Sequence, residues 1–414
     1  MSGEPLRILL VTTRDLGERA TGRIIVLRTH AAALTALGHE VTVAVVAPQP
    51  PGPGATLRTE HVRSPRLPSV AASALGALTV GRRSLNESLF VDRSVRRQVA
   101  RLIDDVDPAV VVLDSLRLLS ATAGVTVPVV VDLDDLLSVR YQRLRTTARS
   151  DPAAVLGFAG ARIPRPVRGI AARAAVLLLG WESRRVAARE LTACATATAV
   201  SLVSRSEAEL LAGRAGREVT WLPPAVPIPE QPVDQQDGLV FLGGLDYLPN
   251  LQALRSYRDE VLPGLDATDP RYVLHVIGHC PDAVRAELDV PGIVLHGFAA
   301  DLHEALGRRA LVAPLVAGGG VKLKVLDAMA HGLLVIGTAG AFEGLGLPDG
   351  IAVQAGSAAE LADLIRRTVA DPERCRELGL RAREVVRREF SSAAAERRWA
   401  ELLDGQLAGA GSAG

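Results

Sequence analysis

The chain has 414 residues, 48% hydrophobic and 22% charged, with a formal net charge of +1. That length predicts two or three domains, each able to bury its own core, and the balanced charge excludes a chain-wide pull toward nucleic acid. Aromatic residues make up only 3%, so cores must rely on Leu, Val and Ala, and stacking platforms for single-stranded nucleic acid are not expected.

Arg7 to Thr12 (RILLVT) reads as a buried strand, Thr13 to Thr21 as a loop ending at Gly22, and Ile24 to Leu37 as a helix by its apolar spacing. Gly38 stops that helix, and the sequence through Val46 gives a second strand. This βαβ opening predicts a parallel, doubly wound sheet, without the G-x-G-x-x-G dinucleotide fingerprint. Pro48 to Leu67 reads as a variable loop and Leu89 to Ile103 as a helix. Asp107–Ser115 (DPAVVVLDS) and Val127–Leu136 (VPVVVDLDDL) each contain a further buried strand.

Asp132, Asp134 and Asp135 stand at the C-terminal end of the second of these, the edge where open α/β sheets bind ligands. Three carboxylates in four residues repel one another, which predicts a raised pKa or a bound cation. A phosphatase-like nucleophilic Asp-x-Asp fits poorly, because Leu136 and Leu137 follow where a threonine is needed. A metal-binding Asp-x-Asp and a plain helix N-cap with first-turn acids are the other readings.

Pro164 to Leu211 reads as mostly helical. Its apolar run Ala171–Glu190 suits a core helix, with a membrane-surface helix as the alternative. A strand then leads to Ser204 or Ser206 as a helix cap. The prolines of Trp221–Val233 (WLPPAVPIPEQPV) force stiff, extended backbone and mark a domain boundary. Gly238–Leu254 opens a second βα unit, with Gly243–Gly244 at its turn and a helix from Asn250. Tyr272–Cys280 and Ile293–Phe298 are two strands ending in glycine turns, and their His275, His279 and His296 read as structural.

The most informative stretch is Leu311 to Leu347. It reads as a strand (Leu311–Val316), a glycine loop (Gly318–Gly320), a helix (Val321–Ala330) stopped by Gly332, and a strand (Leu333–Ile336). A helix N-terminus offers unpaired N–H groups and partial positive charge, and glycines let a phosphate approach the backbone. Lys322 and Lys324 oppose the helix dipole there, which suits a bound anion. Asp327, two turns along, could accept both hydroxyls of a ribose. The plain alternative is a glycine turn before an ordinary helix with solvated lysines. Glu343 follows the last strand as a sugar contact or a helix cap. Glu360–Ala370, Pro372–Arg388 and Ser391–Leu407 read as amphipathic helices.

The run PLVAGGGVKLKVLDAMAHG…VIGTAGAFEGL resembles the donor-binding stretch of the retaining GT-B glycosyltransferases, family 4 (glycosyl transferases group 1). The Gly22–Arg28–GHEVTV opening and the serine-capped helix before the boundary resemble the same family's N-terminal domain. Relatives often carry two glutamates with seven residues between them. Here the second falls on Asp327 and the first on Gly319. A histidine that relatives place near the donor sugar is replaced by Asp134 or Asp135, and the usual arginine and lysine for the diphosphate by Leu245 and Asn250.

The resemblance implies an α/β GT-B fold, two Rossmann-like doubly wound domains facing an interdomain cleft. Residues 1–222 would form the acceptor-side domain, 223–235 a proline-rich linker, 236–390 the nucleotide-sugar domain, and 391–407 a helix crossing back. It implies transfer of a sugar from a nucleotide-diphospho-sugar to a small-molecule, lipid-linked or glycan acceptor, with retention and no metal or cofactor. Donor contacts would come from Gly244, Gly297, Phe298, Gly318, Gly319, Gly320, Val321, Lys322, Lys324, Asp327 and Glu343. Asp134, Asp135 and Lys322 would be catalytic, and Gly22 and Arg28 would lie on the acceptor side. The plain readings of the last two are a turn and a solvated charge. A nucleotide-sugar epimerase of this fold and an inactive donor-binding subunit are the alternatives. Three scattered cysteines and the lack of a leader or a run of ~20 apolar residues point to the cytoplasm, leaving peripheral membrane contact open.

Overall fold

The computed structural model describes residues 4–18, 21–52, 56–79, 83–150, 165–315 and 320–410. The chain divides into two compact units: residues 1–222 with 398–414, and residues 223–397.

Unit 1 is built on a seven-stranded, all-parallel sheet in the order β3-β2-β1-β4-β5-β6-β7. Its strands are β1 (Arg7–Thr12), β2 (Glu40–Ala47), β3 (Arg58–Arg63), β4 (Val110–Asp114), β5 (Val129–Asp132), β6 (Ala199–Leu202) and β7 (Thr220–Trp221). The inner strands are buried almost throughout, Leu9, Val11, Val111, Leu113, Val131 and Val200 among them, as crossover helices on both sheet faces require. Those helices are α1 (Gly22–Ala36), α2 (Leu67–Thr79), α3 (Leu85–Phe90), α4 (Arg93–Val106), α5 (Leu137–Ser150), α6 (Arg165–Thr196) and α7 (Arg205–Ala215). Ser204, not Ser206, caps α7 by accepting from the Glu207 N–H.

Two expectations change here. The loop expected over Pro48–Leu67 contains β3, whose sequence RTEHVR shows no apolar run because an edge strand is only partly buried. The single helix expected over Leu89–Ile103 is two. Asp92 breaks it by accepting from the N–H groups of Ser94 and Val95 and starting α4 anew. The Ala171–Glu190 run lies within α6, where Val186 and Glu190 are buried and Leu177 is 75% exposed. No helix among the described residues is long and apolar enough to cross a membrane.

Unit 2 has a six-stranded parallel sheet in the order β10-β9-β8-β11-β12-β13. Its strands are β8 (Gln236–Leu242), β9 (Leu274–Ile277), β10 (Ile293–Gly297), β11 (Arg308–Ala313), β12 (Leu334–Thr338) and β13 (Val353–Ala355). The helices are α8 (Leu248–Ser256), α9 (Asp282–Leu288), α10 (Leu302–Ala305), α11 (Leu323–Ala330), α12 (Ala339–Phe342), α13 (Ala358–Val369) and α14 (Pro372–Glu389). A last helix, α15 (Ser392–Ala410), supplies unit 1 with its residues from Arg398 onward. The proline-rich segment 223–235 is packed on unit 2. The Val226 and Val233 N–H groups donate to the carbonyls of Phe390 and His331, and Arg383 donates to the Pro229 carbonyl.

Both strand orders reverse direction at their first strand, between β1 and β4 and between β8 and β11. Such reversals open a crevice at the C-terminal strand ends, where this architecture binds ligands.

Candidate functional site

In unit 2 the chain leaves β8 through Gly243 and Gly244. Gly243 has φ +148, and Asn250 on α8 closes over this turn, its Nδ2 donating to the Gly244 carbonyl at 2.8 Å. The Asn250 Oδ1 accepts from Lys324 Nζ at 2.7 Å, and the same ammonium lies 4.6 Å from the centre of the Phe241 ring. So the first turn of α11 is tied to the turn after β8, across the β8/β11 reversal. Burial, helped by Lys322, pulls the Lys324 ammonium down to about 8.

Among the described residues, the entrance to α11 is uncapped. Its N-terminus has no side-chain cap and no acid in the first turn, which leaves the first helical N–H groups without intrahelical partners. Gly320 holds φ +71 just before it, a left-handed backbone that favours glycine. Lys322 Nζ donates to the Gly320 carbonyl at 2.6 Å, and Val321 is half-buried. The helix begins at Leu323, two residues later than its apolar spacing suggests. Gly318, Gly319 and Val316 lie outside the described residues.

Asp327 sits on α11 and is half-buried. Its main-chain carbonyl accepts from His331 Nδ1 at 2.6 Å, and its carboxylate has no partner among the described residues. Burial alone pushes the Asp327 carboxyl up to about 6. Gly297 ends β10 with φ +80, and the following Phe298 is 84% exposed. Glu343 is half-buried just beyond α12. The structure therefore joins Gly244 and Lys324 directly through Asn250, and sets Gly320 and Lys322 at the same helix entrance. His275 Nδ1 and His296 Nε2 pair at 2.8 Å, and burial, with Arg308 and His296, pulls His275 down to about 4.

In unit 1 the β1/β4 reversal is filled by a charge cluster centred on Arg23, a residue that spacing alone did not mark. Arg23 projects from the first turn of α1, 10% exposed. Its Nε donates to Asp114 Oδ1 at 2.9 Å, Nη2 to Asp132 Oδ2 at 2.7 Å, and Nη1 to Asp134 Oδ1 at 3.2 Å. Thr12 Oγ1 donates to the other Asp114 oxygen at 2.6 Å, and His30 Nδ1 lies 3.4 Å from Asp132 Oδ2. The positive charge among these aspartates is a guanidinium of the chain itself.

The carboxylates respond differently. Burial raises Asp132, but Arg23 and His30 outweigh it and hold the group well below the usual carboxylate range. Asp134, at φ +68 and 30% exposed, is pushed up to about 6 by burial and by the neighbouring carboxylates, against Arg23. Asp135 is buried and paired with Arg140. Gly22 is the first residue of α1. Arg28 donates to the carbonyls of Leu16 and Glu18, both at 2.7 Å, and so braces the loop after β1. A cavity of about 850 Å3 lies beyond the ends of β1 and β2, walled by Asp15, Glu18, Pro50 and Phe90.

Residues 236–371 match the family described as Glycosyl transferases group 1. An uncharacterized 44.6 kDa protein in the cps region of Klebsiella pneumoniae is 30% identical over 145 residues, 31% of this chain and 37% of that protein. Among solved structures, sucrose-phosphate synthase from Thermosynechococcus elongatus superposes with a TM-score of 0.68 at 17% identity, covering 98% of this chain and 100% of that one. HepE of Anabaena, in complex with UDP and glucose, gives 0.60 at 14% identity over 97% and 100%. The lipopolysaccharide outer core galactosyltransferase WaaB gives 0.62 at 11% over 97% and 100%. Residues 236–371 are thus similar to the group 1 glycosyl transferases, and the two parallel sheets share the two-domain α/β fold of the GT-B neighbours.

Proposed function

We propose that the chain transfers a sugar from a nucleotide-diphospho-sugar, bound by unit 2, to a small-molecule, lipid-linked or glycan acceptor bound by unit 1, with retention and without a metal. The observation that carries this reading is Asp327, a half-buried carboxylate raised to about 6 with no side-chain partner among the described residues. Burying a carboxylate without a partner is costly, and two ribose hydroxyls would supply what it lacks.

The other groups fall into roles around it. The open N–H groups of α11, with Lys322 and Lys324, neutralise the diphosphate as its bond to the anomeric carbon breaks. Gly244, Gly297 and Gly320 give backbone access, and Phe298 and Glu343 face base and sugar. On unit 1, Asp135 is buried against Arg140, whereas Asp134 is 30% exposed and held by Arg23 only at 3.2 Å, which makes Asp134 the better acid–base group, and the 850 Å3 cavity takes the acceptor. HepE is solved with UDP and with UDP-glucose, which makes a UDP-sugar the first donor to try.

A thermal-shift panel of UDP, GDP, dTDP and ADP, each with and without EDTA, tests this. One nucleotide at ~100 times its dissociation constant stabilises the protein by about 2.7 kcal/mol. The shift survives EDTA, and Asp327→Ala weakens binding about 10- to 100-fold. A panel without any shift sinks the donor site.

The same titration has a pH signature. Lys324 is cationic near pH 7 and loses its proton through about 8, so diphosphate affinity falls as pH rises through that range. Lys324→Gln binds more weakly at neutral pH, and its affinity changes less across the range. Equal pH profiles for both proteins would remove Lys324 from the phosphate site.

A further inference from the structure

Helix α2 carries no charged side chain in 13 residues. Its solvent-facing side is Leu67, Pro68, Ala71, Ala72, Leu75 and Gly76, with Leu67 85% and Leu75 62% exposed. Among the described side chains, only Ser69 and Ser73, both half-buried, interrupt the apolar groups that this uncharged helix shows to water, which is unusual on a soluble domain.

Beside the first turn of α2 lies a groove of about 660 Å3 whose walls include Arg63, Arg66, Arg97 and Arg101. Among the described residues, the guanidinium groups of Arg63, Arg66 and Arg101 make no hydrogen bond or ion pair, and that of Arg97 reaches only the Arg93 carbonyl of its own helix. The one carboxylate in the groove, Asp92, is fully used. It accepts from Ser94 and Val95 N–H and from Ser69 Oγ at 2.5 Å. Ser69 belongs to α2, and Arg66 directly precedes it, so groove and apolar face form one continuous surface.

We propose that this surface docks unit 1 on an anionic lipid bilayer, with the bare face of α2 in the acyl boundary and the four arginines on headgroup phosphates. The chemistry favours lipid over a protein partner. Protein hot spots are built on large aromatic anchors, whereas this face offers leucine, alanine and glycine. Cations collected around an apolar helix are what holds interfacial helices on anionic leaflets. The surface is distinct from the Ala171–Glu190 run, and it does not depend on the donor reading.

The test is flotation of the full chain with vesicles of phosphatidylcholine alone and of equal parts phosphatidylcholine and phosphatidylglycerol. The chain floats with the anionic vesicles only, and less so as salt rises. Leu67→Glu with Ala71→Glu, and separately Arg97→Gln with Arg101→Gln, each lower the partition coefficient at least about tenfold while melting at the wild-type temperature. Four results overturn the proposal. They are no flotation, equal flotation with neutral vesicles, undiminished binding of the Glu variant, and displacement by millimolar glycerol phosphate, which would make the groove a site for a soluble anion. A stable dimer dispersed by the Glu variant would assign the face to a second copy of the chain and overturn it equally.

Discussion

Arg23→Gln lowers the stability of unit 1 by about 3–5 kcal/mol at neutral pH, the range for breaking a buried ion pair from one side. The residue neutralises Asp114, Asp132 and Asp134 at once, and its loss leaves like charges facing one another at the end of β4 and β5. Arg23→Lys recovers little, because an ammonium cannot present the fork that reaches three carboxylates. All three tryptophans, Trp181, Trp221 and Trp399, lie in unit 1, so their fluorescence in urea reports that unit selectively. A midpoint unchanged from wild type would show that the cluster carries no net stability.

The same cluster fixes a pH profile for the wild type. Asp132 is depressed in the folded state, so its contribution is present above the unfolded carboxylate pKa and is lost only in strong acid. Asp134 is raised to about 6, so its contribution is complete below the unfolded value and disappears as pH rises through about 6. Stability of unit 1 therefore climbs on going from pH 7 toward about 5 and falls below about 4. Asp134→Asn reduces the climb to the part that Glu190 contributes, a carboxyl that burial pushes up to about 7, and keeps the acid fall.

Gly278→Ala costs unit 2 about 2–4 kcal/mol and abolishes the nucleotide shift. Gly278 follows β9 with φ +144, and a Cβ there would collide with the Gly243 carbonyl and come within 2.8 Å of the Gly244 nitrogen. Both obstacles are backbone, and the Gly278 N–H is already committed to the Gly297 carbonyl at 2.7 Å. The turn must move, and with it the Gly244 carbonyl that Asn250 and Lys324 are built around. Gly350→Ala is the control. It has φ +77 but nothing nearer its Cβ than the far end of the Arg381 side chain at 4.0 Å, so it meets strain of about 1–2 kcal/mol and no collision. Calorimetry with and without nucleotide separates the two. Equal losses would show that close packing at Gly278 is not what shapes the turn.

Much of the fold was readable because parallel strands buried on both faces leave continuous apolar runs such as Val110–Leu113 and Leu311–Ala313. The entrance to α11 was readable for a related reason. Two lysines against a helix dipole and a run of glycines are locally unfavourable, so they stand out in the sequence. Arg23 left no such trace, because its partners are 91, 109 and 111 residues away and only the topology collects them at one strand edge. Asn250 reads as a missing phosphate ligand until Lys324 is seen to reach it from α11. The edge strand β3 and the break at Asp92 escaped because half-burial and a single cap leave little mark on apolar spacing.

Trp399 is fully buried in unit 1, its ring 5.5 Å from that of His30 on α1 in an edge-on contact. These two rings are far apart in sequence, while everything unit 2 needs, Pro223 to Arg397, precedes the tryptophan. A ribosome delivers the chain in order, so unit 2 can be complete while unit 1 still lacks a core side chain. The first unit synthesised is then the last to close, and its exposed α1 face is the stretch that a chaperone or protease would meet during translation. Nascent chains arrested ahead of Trp399 should be cut in unit 1, and those arrested well beyond it should resist.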